Sequence, residues 1–296
     1  MRHSSIITTK RGFLLGLITA ATTGCSFRIS TESIPLIGQK RPVVNNCGTE
    51  PVSLHDPIKK EIAMQLVSSA ENSTLDWRDN YKFIKDIGDG RGYTGGLIGF
   101  TSGTHDMLVL VEYYSELKPN NVLTKYIEPL REVDGTPSHG RLDPYFVGDW
   151  QQAANDPFFQ QAQNDKRDEL YFNPSVNQAL TDGLSLLGQF IYYDAAVMHG
   201  IGDAPRSFNH IRRESMERAK LPVDGGDETN YLDSFLDQRR VAMKAEPAHE
   251  DTSRVDTIQR SFLRAGNLSL SLPLGFQVYN TPYEISYIDP AICKQS

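Results

Sequence analysis

Two acidic residues, Glu71 and Asp89, stand in sequence settings that differ in the way that acid/base chemistry requires. Glu71 follows Val67 by four residues at the end of a predicted helix, which places its carboxyl group on or beside the buried face. Asp89 lies in a glycine-rich polar loop, and Thr94 follows with a hydroxyl that is available to orient a water molecule. A carboxyl group beside apolar surface and a carboxylate in a polar loop divide the roles of acid and base. The pattern therefore indicates a general acid/base pair.

The loop that carries Asp89, residues 86–96, contains patterns typical of other sites, which their context excludes. Gly90, Gly92 and Gly95 match the letters of a dinucleotide fingerprint, but no strand–helix–strand unit surrounds them. The acidic residues of the loop lack EF-hand spacing, and residues 99–103 misplace their serine relative to a nucleophile elbow. No Cys/His spacing in the chain fits a zinc site. We therefore expect no metal site and no cofactor.

Three charged residues, Asp194, Arg239 and Arg254, fall on apolar helix faces, each three or four residues from large apolar side chains. One interpretation is that their stems pack while their charged ends reach water. The other is that they are buried and neutralise one another or Glu71. Removing one partner of a buried ion pair costs roughly 3–5 kcal/mol, so buried charges must be paired. Three such residues together favour the network.

The elements that must position these residues are mainly helical. Residues 81–103 are rich in glycine and contain short β-type runs, which predicts tight turns and a small sheet. Apolar residues spaced by three and four from Val176 to Met198 predict one long buried helix. The fold class is therefore mainly α with a small β element. Further helices are predicted over about four turns from Pro57, with Asp56 as N-cap, and over residues 228–244 and 253–265.

Residues 1–24 have the layout of a signal peptide, with basic residues, then an apolar run, then small residues. Lys10-Arg11 resembles a twin-arginine export motif with lysine in place of the first arginine. Thr22 stands where lipoproteins carry a large apolar residue, which favours release over a lipid anchor at Cys25. We expect a secreted, extracellular protein with a flexible leader over residues 25–55 and a catalytic domain over 56–296.

The exported chain is acidic. The full chain carries a formal net charge of -7, and loss of residues 1–24 leaves 27 basic against 37 acidic side chains, a net charge of -10. Such a field disfavours nucleic acid and attracts polycations, but net charge taken alone favours a generic acidic surface over a polycation-binding one. Cys47 and Cys293 either form one bridge in an oxidising compartment or remain two free thiols.

The chain contains several long and specific motifs, at residues 66–73, 86–96, 159–165, 188–190, 193–194, 225–229 and 251–257. These motifs resemble those of the family 46 chitosanases, and the similarity runs from about Asp56 to Tyr283 without a large gap. The resemblance implies a two-lobed, largely helical, lysozyme-like fold with the substrate in a cleft between the lobes. It also implies endo-acting hydrolysis of the β-1,4 bonds of chitosan with inversion at the anomeric carbon.

The resemblance also implies roles for individual residues. Glu71 matches the general acid, Asp89 the general base and Thr94 the residue that positions the attacking water. Asp194, Arg239 and Arg254 match the charge network behind the acid, in agreement with the burial argument above. Substrate contacts are implied for Asn72, Ser73, Arg91, Asp106, Glu246 and Glu250.

Two positions depart from the family pattern: Glu250 replaces an expected aspartate and Phe83 an expected tyrosine. The partner is expected to be chitosan or a glucosamine oligosaccharide, with no nucleic acid and no protein partner, and the protein is expected to be a monomer. A muramidase or chitinase on the same scaffold is a second hypothesis, distinguished by whether its products require acetylated sugars. An inactive carbohydrate-binding protein is a third, which a reducing-sugar assay on chitosan tests.

Overall fold

The computed structural model describes residues 47, 48, 50–246 and 250–294, and most of them belong to helices. The signal peptide predicted over residues 1–24, the possible lipid anchor at Cys25 and most of the predicted leader lie outside this part of the chain. The α-helices are α1 Pro57–Asn72, α2 Asp106–Leu117, α3 Ile127–Val133, α4 Phe146–Ala153, α5 Pro157–Arg167, α6 Asn173–Thr181, α7 Leu186–His199, α8 Phe208–Met216, α9 Glu228–Lys244 and α10 Arg260–Arg264. The π-helical segments are Asp168–Phe172 and Arg254–Gln259, and the strands are β1 Ile84–Asp86, β2 Tyr93–Gly95, β3 Phe100–Thr101, β4 Leu274–Val278 and β5 Thr281–Ile285.

Helix α1 begins and ends where its sequence requires. The Asp56 side chain accepts hydrogen bonds from the N–H groups of Ile58 and Lys59, and Pro57 occupies the first helical position. The helix ends at Ser73, which has left-handed backbone angles, with φ 54° and ψ 35°. The packed part of the chain includes residues before the predicted boundary at Asp56, since Leu54 is fully buried and its N–H donates to the Gln189 side chain.

The glycine-rich segment forms the predicted small sheet. Strands β1, β2 and β3 are antiparallel in that order, and Asp86 at the end of β1 pairs with Tyr93 at the start of β2. The six residues between them form the loop that carries Asp89. Strands β4 and β5 form a separate hairpin near the end of the chain.

Two hydrophobic cores divide the described part of the chain. The first combines α1 with residues 172–288, whereas the second is built from residues 84–162. A continuous helical path, α5 followed by the π segment Asp168–Phe172 and α6, runs from the second core into the first. This mainly helical fold with two cores agrees with the predicted two-lobed architecture.

The prediction of one long helix from Val176 to Met198 is wrong. Helix α6 ends at Thr181, Gly183 adopts a left-handed conformation with φ 79°, and α7 begins at Leu186 with Ser185 as its N-cap. The apolar spacing continues across the break because both helices pack on the same core, but Leu180 is partly exposed. A periodic stripe therefore identified the buried face and missed the turn within it.

Cys47 and Cys293 form a disulfide, which settles the choice between a bridge and two free thiols. The bridge joins residues at opposite ends of the described chain. Within the described residues, no helix combines the length and the apolar character that crossing a membrane demands.

Candidate active site

Glu71 lies in the last turn of α1, at the border of the first core. Val67 and Ala70 are buried, whereas the Glu71 side chain is 36% exposed. Its Oε1 accepts a hydrogen bond from Arg254 Nη1 at 2.5 Å. The helix thus holds one carboxyl group at the surface of the core, with an arginine fixing its orientation from behind.

Arg254 connects Glu71 to a buried charge network. Its Nε and Nη2 donate to the Asp194 carboxylate at 2.9 and 2.7 Å, and Arg239 Nη1 lies 2.6 Å from Asp194 Oδ2. The exposed fractions of the Arg239, Asp194 and Arg254 side chains are 0%, 1% and 3%. The charged ends therefore do not reach water, and the structure supports the network interpretation.

The electrostatics of the network favour the charged forms of Asp194 and Arg254, whereas burial lowers the pKa of Arg239. Burial raises the pKa of Asp194, but Arg254 and Arg239 reverse this and bring that pKa to about 2. Burial lowers the pKa of Arg254, and the charges of Asp194 and Glu71 more than compensate, so that its pKa is raised overall. Two guanidinium groups face two carboxylates, so the cluster is neutral when Glu71 is ionised.

Gln259 completes the network and was not predicted from the sequence. Its Nε2 donates to Asp194 Oδ2 at 2.6 Å, and its Oε1 accepts from Arg239 Nη1 at 2.9 Å. Gln259 and Arg254 are five residues apart, at the two ends of a π-helical segment. A π-helix places residues i and i+5 on one face, whereas the predicted α-helix separates them. The only sequence signal was a neutral amide beside an apolar stripe.

Asp89 occupies the loop between β1 and β2, which Gly88, Gly90 and Gly92 shape with φ angles of 76°, 84° and 73°. Arg91 holds the Asp89 carboxylate from the same loop, since its Nε and Nη2 donate to Oδ2 at 2.8 and 2.6 Å. The Arg91 backbone N–H donates to the other oxygen, Oδ1, at 3.1 Å. These bonds lower the pKa of Asp89, so the carboxylate stays ionised and able to accept a proton.

Thr94 lies on β2, directly after the loop. It is buried, with 7% exposure, and its Oγ1 has no hydrogen-bond partner among the described residues. A buried hydroxyl without a protein partner is normally satisfied by water. The arrangement suits a threonine that holds a solvent molecule near Asp89.

The region between α1 and the turn after β2 is where the two cores approach each other. A cavity of about 20 Å³ is lined by Val67, Ser68 and Asn72 of α1 and by Leu97 and Ile98 from the other side. Glu71 belongs to the same turn of α1 as Asn72, and Leu97 lies three residues after Thr94. The last turns of α1, which carry the predicted acid, thus lie against the turn that follows β2.

Of the predicted substrate contacts, Asn72 and Ser73 are exposed directly beside Glu71. Asp106 lies at the start of α2, where its Oδ1 accepts from the N–H of Thr101 and the hydroxyl of Thr104. Burial raises the pKa of Asp106 despite these bonds.

Tyr171 lies within electrostatic range of both Asp106 and Arg91. Burial raises the pKa of Tyr171, the Asp106 charge raises it further, and Arg91 lowers it. The charges of Arg91 and Asp106 therefore both act on the Tyr171 hydroxyl. Oε1 of Glu246 lies 3.5 Å from Nε of Arg206. Glu250 is exposed.

Tyr279, at the tip of the β4–β5 hairpin, is a further neighbour of Glu71 that sequence reasoning missed. Its backbone N–H donates to Ser253 Oγ, next to Arg254, at 3.0 Å. Burial raises the pKa of Tyr279, Arg254 lowers it, and the charges of Glu71 and Asp194 raise it. No helix or strand periodicity identifies a hairpin tip as part of a site.

Comparison with known proteins agrees with this arrangement. The model of glycosyl hydrolase family 46 matches residues 65–274. A chitosanase of Streptomyces sp. strain N174 is 60% identical over 233 residues, which cover 79% of this chain and 84% of that protein. A chitosanase of Nocardioides sp. strain N106 is 58% identical over 235 residues, with the same coverage of both chains.

Solved structures show the same fold. A co-crystal structure of chitosanase OU01 with substrate superposes with a TM-score of 0.77 at 51% identity, covering 79% of this chain and 99% of that one. The family 46 chitosanase of Gynuella sunshinyii, in complex with chitotetraose, gives a TM-score of 0.71 at 30% identity, with 78% and 98% coverage. These likenesses confirm the predicted largely helical, two-lobed fold.

Proposed function

The chain belongs to glycosyl hydrolase family 46, and we propose that it acts as an endo-chitosanase with Glu71 as general acid and Asp89 as general base. The enzyme hydrolyses β-1,4 bonds between glucosamine units of chitosan with inversion at the anomeric carbon. The observation that carries the assignment of roles is the contrast between the two carboxyl groups. Glu71 is backed by a buried charge network, whereas Asp89 is held ionised on a solvent-facing loop.

The acid step takes place at Glu71. Its carboxyl group donates a proton to the glycosidic oxygen as the bond to the anomeric carbon breaks. Negative charge then develops on Glu71, 2.5 Å from the Arg254 guanidinium, which Asp194 fixes in place. A positive charge that already points toward the developing negative charge stabilises the transition state, because the protein does not have to reorganise.

The base step takes place on the opposite face of the sugar. Glucosamine lacks the 2-acetamido group that serves as an internal nucleophile in some chitin-degrading enzymes, so a protein base must activate water. The ionised Asp89 accepts the proton of that water, and the unpartnered Thr94 hydroxyl orients it. In the complex with an oligosaccharide we expect the two carboxyl groups about 6.5–9.5 Å apart, the separation that leaves room for water.

The experiment that tests this proposal compares wild type with Glu71→Gln in a reducing-sugar assay on chitosan. We expect kcat to fall by about a hundredfold or more, the usual scale of general acid catalysis. Glu116→Gln, an exposed carboxylate change on α2, is the matched control and should keep wild-type activity. Retained activity in a folded Glu71→Gln enzyme contradicts the assignment, whereas activity only on acetylated polymers favours the muramidase or chitinase hypothesis.

We infer that the enzyme is exported through its amino-terminal signal-like segment. The Cys47–Cys293 disulfide supports an oxidising compartment, where such bonds form and persist. A soluble polycationic polymer substrate is also consistent with action outside the cell. Amino-terminal sequencing of the protein recovered from the culture medium tests both export and the cleavage site near residue 24.

A further inference from the structure

His139 lies in the segment between α3 and α4 and contacts both ends of the loop that carries Asp89. Its ring stacks on Tyr93, the first residue of β2, with centroids 4.0 Å apart and planes inclined by 13°. Its Nε2 lies 3.1 Å from Oδ2 of Asp86, the last residue of β1. Asp86 and Tyr93 are partners in the β-ladder, so one side chain spans the base of the loop.

The surroundings of His139 are anionic. Asp86 faces it from β1, and Asp143, from the segment before α4, places Oδ2 3.6 Å from Nδ1. The Tyr93 hydroxyl, on β2, donates to Asp143 Oδ1 at 2.5 Å. Burial and that bond raise the pKa of Tyr93 to about 12, so the tyrosine remains neutral. The imidazole ring thus lies between two carboxylates in this cluster.

The contact with Asp86 depends on charge more than on hydrogen-bond direction. Nε2 is buried and makes no well-aligned hydrogen bond, although Asp86 Oδ2 is only 3.1 Å away. A misaligned contact at this distance retains Coulomb attraction but little directional energy. The attraction is therefore present when the ring is an imidazolium and is lost when the ring is neutral.

The Asp89 loop is held from outside at several points, one of which is the Arg91 carbonyl, which accepts from the N–H of Gly103 at 2.9 Å. Asp89 is bonded to Arg91 within the loop, and three glycines with positive φ give the backbone wide freedom. At the exit from the loop, the N–H of Tyr93 donates to Ser102 Oγ at 2.9 Å. At the entrance, the Asp86 carboxylate accepts from the N–H of Gly88 at 2.7 Å, so its own position sets the first turn.

We propose that His139, which lies between the Asp86 and Asp143 carboxylates while stacked on Tyr93, is a positioning residue for the general base. The proposal rests on the role of Asp89 proposed above. His139 acts through Asp86 and Tyr93, which fix the two ends of the Asp89 loop. A displacement of about 1 Å at a catalytic group lowers the rate by up to about a hundredfold.

Two substitutions separate charge from stacking. His139→Phe keeps an aromatic face on Tyr93 and removes the charge, whereas His139→Arg keeps a planar, permanently charged group. We expect kcat on chitosan to fall about tenfold in His139→Phe with KM within about twofold, and to recover to within about threefold of wild type in His139→Arg. A His139→Phe enzyme with wild-type kcat, or a folded His139→Arg enzyme as slow as His139→Phe, overturns the proposal.

Asp89→Asn distinguishes failure of this proposal from failure of the proposed function. If Asp89 is the base, Asp89→Asn is nearly inactive, and adding His139→Phe has little further effect because both changes act on one step. An active Asp89→Asn enzyme refutes the base assignment itself. An inactive Asp89→Asn enzyme beside a fully active His139→Phe enzyme refutes only the positioning role.

Discussion

The two carboxyl groups that we propose as acid and base each pair with one arginine, but the two arginines are held differently. Arg254 is buried and held by Asp194, so its position does not depend on Glu71. Arg91 is half-exposed and belongs to the same loop as Asp89, so the two move together. Glu71 therefore has an arginine partner that the core holds in place, whereas the arginine partner of Asp89 moves with the loop.

Replacing Arg91 should move the acidic limb of the pH–rate profile. The base works only when ionised, so activity is lost as the pH falls through the pKa of Asp89, which Arg91 lowers. In Arg91→Met that pKa returns toward its ordinary value, and the acidic limb of kcat moves to higher pH. Arg91→Lys, the matched control, keeps a charge and should move the limb less.

The measurement for the Arg91 variants is kcat at saturating chitosan between about pH 3 and 6, the range that surrounds the ordinary pKa of an aspartate. Saturation removes any change in KM caused by a lost substrate contact. An acidic limb at the same pH in wild type and Arg91→Met means that another group sets it.

At the residue scale the sequence allowed the charged members of the site to be predicted, because charge on an apolar stripe is rare and must be explained. Asp194, Arg239 and Arg254 were identified in this way, and they meet in the structure. Gln259 was missed because it is neutral. His139 was missed because it is distant in sequence from the loop that it contacts.

At the element scale, the loop between β1 and β2 depends on individual glycines to different degrees. A Cβ atom at Gly92 lies 2.3 Å from Ser102 Oγ, the group that accepts the N–H of Tyr93. A Cβ atom at Gly90 meets nothing within 4 Å. Both positions have positive φ, so the backbone of an alanine is strained at either. Only at Gly92 does the added Cβ atom also clash with a neighbouring atom.

Gly92→Ala should therefore impair the enzyme more than Gly90→Ala. Each substitution carries the backbone strain of a left-handed alanine, about 1–2 kcal/mol, whereas Gly92→Ala also pushes Ser102 away and displaces the loop. We expect a larger loss of kcat and a lower unfolding midpoint for Gly92→Ala, measured by chitosan hydrolysis and thermal denaturation. Equal effects of the two variants indicate that the contact with Ser102 is unimportant.

The elements with strong terminal signals were predicted accurately. Helix α9 spans Glu228–Lys244 as expected, and α1 begins at Pro57 behind the predicted cap. Apolar periodicity did not predict where the hydrogen-bonding pattern of a helix changes. Residues 254–259 are π-helical, and the helical stripe that begins at Val176 is interrupted at Gly183. Tertiary packing keeps the apolar face continuous in both cases, so the sequence pattern does not register the change.

On the scale of the whole molecule, the helical path from Pro157 to Thr181 joins the two cores, with its π segment between α5 and α6. The first core holds the acid on α1 and its charge network, and the second holds the sheet beside the base. The geometry of the catalytic pair thus depends on how two separately packed cores meet. No local pattern encodes that relation; the family resemblance supplied it.

The Cys47–Cys293 disulfide should contribute to stability without contributing to catalysis. It joins residues 246 positions apart, and closing so long a loop restricts the unfolded chain strongly. We expect the double substitution Cys47→Ser, Cys293→Ser to lower the free energy of unfolding by about 2–5 kcal/mol, with kcat and KM unchanged. Denaturant titration measures the first and chitosan hydrolysis the second. Equal stabilities show that the bridge restrains nothing that the fold does not already restrain.

The acidic field of the enzyme should make substrate affinity sensitive to salt. Chitosan carries ammonium groups, and charge-assisted hydrogen bonds to carboxylates such as Asp106 and Glu246 would hold them. Salt screens such attraction, because the Debye length falls from about 10 Å at 0.1 M to about 3 Å at 1 M. We expect KM to rise with ionic strength while kcat changes little, since Arg254 and Asp194 are buried from solvent.

Glu246→Gln separates local contacts from the overall field. If Glu246 binds an ammonium group, the variant has a higher KM at low salt and a weaker salt dependence than wild type. Asp224→Asn, an exposed change of equal charge elsewhere on the surface, should keep the wild-type salt dependence. Equal salt dependence in all three proteins assigns the effect to the net charge of the molecule, and a salt-independent KM in wild type excludes electrostatic recognition of the polymer.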